Sequence, residues 1–172
     1  MRAALPFAEG KKAADSWLAG TLPKDYLWPD APLDANIAPL IVALNKLPFL
    51  YTHSCCGGHK RSRKEVNKLL GIVTRVSPDT LDDGRVNYSG ACFSFTIDGS
   101  EESKSFVHVL STLVNHLEYT SIETRSGGLE FAVSLMQQAK PGDFIAPEEA
   151  DVLALEADAR IHMVIGTVKA YL

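Results

Sequence analysis

Cysteine is scarce in this 172-residue chain: there are three, two of them adjacent in sequence. An odd, small number with one adjacent pair excludes a disulfide framework and suits a reducing compartment. No apolar run approaches the roughly 18 residues needed to span a bilayer. The first seven residues carry one basic side chain and no long apolar stretch, so they do not read as a secretory signal. A cytoplasmic protein with no membrane partner is the expectation. Repeats and low-complexity tracts are missing too. Positive charge is in short supply, with 17 Lys and Arg against 21 Asp and Glu and a formal net charge of −4. That excludes a broadly basic nucleic-acid-binding surface. It leaves one local cluster, Lys60, Arg61, Arg63, Lys64 and Lys68, which serves equally well as a solvated face.

What is present is globular in proportion: 46% apolar and 22% charged residues. The length suits one domain. Residues 1–172 are therefore read as a single α/β domain, with 1–32 an irregular N-terminal arm. Within that arm residues 8–18 suit a short helix, after which Pro23, Pro29 and Pro32 break the pattern. Ile37, Leu40, Ile41 and Leu44 then mark one helical face, with Asp34 or Asn36 as cap. Pro39 favours Asn36, because proline is tolerated in the first turn, and Pro48 ends the helix.

Residues 49–53 read as a strand, 60–70 as a basic helix, 71–76 as a strand and 78–84 as a loop. Strict alternation over 91–97 predicts a half-buried strand. Phe106, Leu110, Leu113, Val114 and Leu117 stripe a helix that begins after Asp98-Gly99-Ser100. Residues 119–125 and 129–135 predict an antiparallel hairpin about Ser126-Gly127-Gly128, with Leu129, Phe131, Val133 and Leu135 on its buried side. Pro147 opens a last helix. The expected architecture is an α/β fold: a mixed sheet that includes an antiparallel hairpin, flanked by helices.

One segment stands out, Tyr51-Thr52-His53-Ser54-Cys55-Cys56-Gly57-Gly58-His59. It supports three readings. His53, Cys55, Cys56 and His59 are soft ligands for zinc, but Cys55 and Cys56 have no residue between them, too few for one short loop to offer all four. Cys56 and His59 have suitable spacing and would need further ligands from elsewhere; nothing places His108, His116 or His162 nearby. A nucleophilic cysteine is the second reading, activated by His53, His59, Lys60 or Arg61. The third, which the small residues favour, is a binding loop. Glycine lets a ligand approach the backbone, and successive N–H groups hold anionic or polar atoms. Its residues are Thr52, Ser54, Cys55, Gly57, Gly58, His59, Lys60 and Arg61. Cys92, mid-strand, reads as packed.

The run Asp34-x-x-Ile37-x-Pro39-Leu40, Leu44-Asn45, Pro48 and Thr52-x-Ser54-Cys55-x-Gly57 resembles the N-terminal part of the Tyw3 family of wybutosine-synthesis methyltransferases. There a similar helix ends near an asparagine and leads through a strand into a Thr-Ser-Ser-Cys-Ser-Gly-Arg loop. The likeness covers about 25 residues. His53 and Cys56 stand where the family has serines, and Gly58 where it has arginine. The resemblance implies a Tyw3-like fold and methyl transfer from S-adenosylmethionine to a modified guanosine of tRNA. A chain so diverged is also a candidate for a non-catalytic small-molecule or nucleotide-binding protein on that fold, and a Cys/His zinc protein is the third class.

Overall fold

The computed structural model describes residues 5–21, 33–69, 83–118, 120–136 and 143–172. In chain order the elements are α1 (Phe7–Leu18), α2 (Ala38–Lys46), β1 (Leu50–Cys56), β2 (Lys60–Ser62), α3 (Arg63–Leu69), β3 (Val86–Tyr88), β4 (Cys92–Ile97), α4 (Glu101–Asn115), β5 (Ser121–Arg125), β6 (Glu130–Ser134) and α5 (Pro147–Lys169). Four strands form a sheet in the order β1-β4-β6-β5, and β2 pairs with β3 in a separate ribbon. The α/β class, the hairpin and the flanking helices are as expected. Every strand pairing among the described residues is antiparallel, so the mixture is of helices with strands and not of strand directions.

Alternation on the central strand β4 explains the core. Phe93, Phe95 and Ile97 point to one side and are almost wholly buried. Phe95 stacks on its cross-strand partner Phe131 with ring centroids 5.2 Å apart. The helical stripes of α2 (Leu40, Ile41, Leu44), α4 (Phe106, Leu110, Val114) and α5 (Ile161, Val164, Val168) pack into the same cluster. Burying each such side chain contributes about 1.5–3 kcal/mol.

β1 alternates between two environments. Leu50 faces the main core, while Tyr51 faces Ala13 and Ala14 of α1. A Cβ on Gly10 would run into the Tyr51 ring, so glycine is what lets α1 lie against this strand. The Lys11 ammonium donates to the backbone carbonyls of Asn45, Leu47 and Leu50, the last two at 2.9 Å. They belong to the end of α2, to the turn after it, where the Leu47 carbonyl also accepts the Leu50 N–H at 3.4 Å, and to the first residue of β1. Lys11 thereby fixes the angle at which β1 starts.

Several expectations are corrected. β1 runs to Cys56, so Ser54, Cys55 and Cys56 are strand residues that pair with β4. Lys60 and Arg61 lie in a strand, not in a basic helix over 60–70; α3 starts only at Arg63. Ser62 and Glu65 make a capping box there, Glu65 accepting from the Ser62 N–H at 2.8 Å and Ser62 accepting from the Glu65 N–H at 3.3 Å. Leu129, expected inside, is 43% exposed because it belongs to the turn. Ile37 occupies the N-cap position of α2 without a side-chain bond, and neither Asp34 nor Asn36 caps it. The expected strand 71–76 lies outside the described residues, as do Pro23, Pro29 and Pro32. No helix among the described residues is long and apolar enough to cross a membrane.

Candidate functional site

The loop Gly57-Gly58-His59 carries the chain from the four-stranded sheet to the β2–β3 ribbon. The two polar residues that do not cap α2 are bound to it instead. The Asp34 carboxylate accepts the Gly57 N–H at 2.7 Å. The Asn36 amide donates to the Gly57 carbonyl at 2.8 Å and to Asp158 of α5, also at 2.8 Å. On the far side the Ser89 hydroxyl accepts the His59 N–H, and the Ser89 N–H donates to the His59 carbonyl, both at 2.9 Å. Two segments far apart in sequence, Asp34 with Asn36 and Ser89, thus hold one three-residue loop, and Asp158 of α5 steadies Asn36.

The glycines are required by this closeness. A Cβ on Gly57 would overlap the Asn36 side chain and come within 2.9 Å of Asp34 Cβ. Gly58 has φ +87°, in the left-handed region, and the Tyr88 phenol lies where its Cβ would be. The Tyr88 side chain is 1% exposed and its hydroxyl has no hydrogen-bond partner in the structure. Burial, with Asp158 and Cys56 adding to it, pushes the phenol up to about 12.

The candidate residues divide by environment. Thr52 is fully buried, and Asn45 Oδ1 accepts its N–H at 3.1 Å while the Asn45 amide donates to its hydroxyl. Thr52 therefore shapes the strand that delivers the loop and offers nothing to solvent. Ser54 is exposed. Cys55 is half-buried, and burial, followed by the nearby Asp34, Cys56 and Cys92, pushes its thiol up to about 12. A thiol so raised holds almost no thiolate at neutral pH, which argues against a nucleophilic role. Cys92 lies directly across from Cys56 in the β1–β4 register.

The His59 side chain is 40% exposed and its Nε2 lies 3.2 Å from Asp34 Oδ2. Lys60 pairs with Asp151, and Arg63 pairs with Asp83 at 3.2 Å while lying over the Phe144 ring at 4.0 Å. Two members of the basic cluster are thus already matched by acids, although such exposed pairs are weak. His108, His116 and His162 are exposed on α4, on its C-terminal end and on α5.

One residue near the site has a pH consequence of its own. His53 sits at a register shift in β1; its Nε2 is buried without a hydrogen bond, 3.8 Å from Glu130. Burial holds its pKa below the ordinary 6.5, against weaker upward effects of Glu130 and the Phe95 backbone. The unfolded chain takes up this proton near pH 6.5 and the folded chain only at lower pH. Below that point the unfolded state binds more protons, so acidification costs stability until the folded pKa is passed. The melting temperature should therefore fall between about pH 7 and about pH 5, and less steeply in His53→Gln. Equal slopes in the two proteins would exclude His53 as the source.

No family model matches this chain, and no curated protein matches it. Among solved structures, the PH1069 protein of Pyrococcus horikoshii aligns with 14% identity and a TM-score of 0.47, over 96% of this chain and 91% of that one. A hypothetical protein from Aeropyrum pernix aligns with 13% identity and a TM-score of 0.35, over 80% of this chain and 94% of that one. Scores at this level do not establish a common fold.

Proposed function

We propose that the loop of residues 54–59 binds a small polar ligand, and that this chain is a Tyw3-like protein whose ligand is S-adenosylmethionine. The observation that carries this reading is the pairing within the resembling segment. Asp34 holds Gly57, and Asn45 holds Thr52. Residues spread over 24 positions of sequence are joined in pairs by hydrogen bonds, as expected of a motif that acts as one unit. Ser54, Cys55 and Gly57 shape the loop in this reading, with Gly58 letting the Tyr88 phenol pack against its backbone. His59, Lys60 and Arg61 present donors and charge to the ligand.

Methyl transfer asks little of general-base chemistry when the acceptor is nucleophilic; alignment of donor and acceptor supplies much of the rate. A loop tied at both ends meets that need. The acceptor in this reading is a tRNA, whose phosphates demand positive contacts. The acid partners of Lys60 and Arg63 favour a second reading on the same site, a small-molecule or nucleotide-binding protein without tRNA chemistry.

Calorimetry with S-adenosylmethionine and with its demethylated product tests the first reading. Binding well below 1 mM is expected, weakened at least ~10-fold, or about 1.4 kcal/mol, in His59→Ala. Well-folded protein that binds neither compound at about 1 mM would refute it. Cofactor binding without salt-dependent tRNA binding would leave the second reading standing.

A further inference from the structure

Asp34, Cys56 and His59 bring a carboxylate oxygen, a thiol sulfur and an imidazole nitrogen within 4.8 Å of one another. We infer that these three side chains form a zinc-binding site with one open coordination position. The inference does not depend on S-adenosylmethionine being the ligand of the loop.

The donor set selects the metal. Thiolate and imidazole favour zinc over calcium or magnesium, and a carboxylate is an ordinary third zinc ligand. Two imidazoles with one carboxylate would suit ferrous iron; here a thiolate takes the place of one imidazole. The spacing agrees. In a tetrahedral site with bonds of about 2.0 Å to nitrogen or oxygen and about 2.3 Å to sulfur, donor atoms lie roughly 3.3–3.6 Å apart. Asp34 Oδ2 and His59 Nε2 are already 3.2 Å apart. Cys56 and His59 have two residues between them, the separation common in zinc loops.

The support is built as well. The Gly57 N–H donates to the same Asp34 oxygen at 2.7 Å, which fixes the carboxylate where it is needed. The Ser89 hydroxyl accepts the His59 N–H at 2.9 Å and lies 4.0 Å from Cys56 Sγ, so one side chain steadies two ligands. All three ligands are partly exposed, which gives an ion a path in. Beneath the loop the Tyr88 hydroxyl, buried and unpartnered, is a polar atom still lacking a partner next to the Gly58 backbone. Binding removes the Cys56 thiol proton to solvent and forms bonds to Sγ, Nε2 and Oδ2. With three protein ligands, the fourth position is left to water or to a donor atom of a bound ligand, the pattern of catalytic and not of structural zinc.

The test uses Co²⁺ as a spectroscopic stand-in and Zn²⁺ as competitor, on full-length protein purified without metal. Wild type should show a thiolate-to-cobalt charge-transfer band that saturates at one ion per chain and is displaced by zinc. Cys56→Ser should abolish the band, and His59→Ala or Asp34→Asn should weaken zinc binding at least ~100-fold, beyond the usual cost of losing a supporting residue. Asp34→Asn keeps an acceptor for the Gly57 N–H, so loss of fold is not the expected cause, and circular dichroism checks it. Cys55→Ser and Cys92→Ser should retain the band. No band in folded wild type at millimolar Co²⁺, or a band that survives Cys56→Ser, would overturn the assignment. Calorimetry with S-adenosylmethionine on metal-free and zinc-loaded protein then reports separately on the loop reading.

Discussion

Asn45→Ala is expected to lower the free energy of unfolding by about 3 kcal/mol, a large part of what a domain of this size has. The side chain is 6% exposed and makes three bonds. Its amide donates to the Ile41 carbonyl at 2.9 Å and to the Thr52 hydroxyl, and its carbonyl accepts the Thr52 N–H. Alanine leaves the Thr52 N–H and hydroxyl buried without partners, at about 1–3 kcal/mol for each stranded group. Thr52→Val removes only the hydroxyl and keeps the shape, so its cost should be about 1 kcal/mol. Urea unfolding of both single variants and the double variant measures the difference and the coupling. A loss below about 1 kcal/mol in Asn45→Ala would mean that the strand start is held by other contacts.

Gly57→Ala is expected to disable the loop while sparing most of the fold. Gly57 is buried, and its backbone is not in the left-handed region, so the penalty comes from space. The added methyl must displace Asn36, which gives up its bonds to Gly57 and Asp158, and must push on Asp34. Overpacking of this kind costs typically about 1–3 kcal/mol. Cobalt and S-adenosylmethionine affinities should each fall at least ~10-fold, since a shift of about 1 Å in a positioning group is enough to do so. Gly127→Ala is the control. Gly127 has φ +73° and nothing within 4 Å of a Cβ, so only backbone strain is added, far from the loop in sequence. Unchanged affinities in Gly57→Ala would mean that Asp34 and Asn36 do not position the site.

The parts of the fold that were legible from the sequence share one property: each is set by neighbours along the chain. The alternation of Phe93, Phe95 and Ile97, the cap at Ser100 and Pro147 at the start of α5 act within a few residues. The errors come from competition at longer range. Asp34 and Asn36 have the composition of helix caps, but the Gly57 backbone, more than twenty residues on, takes both side chains. No local signal decides between those uses. The Ser62-x-x-Glu65 box was a local signal, and it separates the strand at 60–62 from the helix that follows. In the candidate site, Cys56 and His59 were recognisable by spacing. Asp34 as their companion was not, because a sheet, a ribbon and a turn had to be assembled before the three met.

The sheet order β1-β4-β6-β5 leaves two outer strands. An outer strand with free N–H and C=O groups invites another chain to pair with it. β5 is five residues long and displays Glu123 and Arg125 to solvent, a short charged rim of the kind that discourages such pairing. β1 is protected differently: its pairing register shifts at His53, and the Thr52 N–H is spent on the Asn45 side chain. Asn45 therefore has a second consequence besides stability. Its side-chain carbonyl accepts from the Thr52 N–H, a backbone donor on which an intruding strand would dock, so the residue that positions the loop also guards the sheet against growing by self-association.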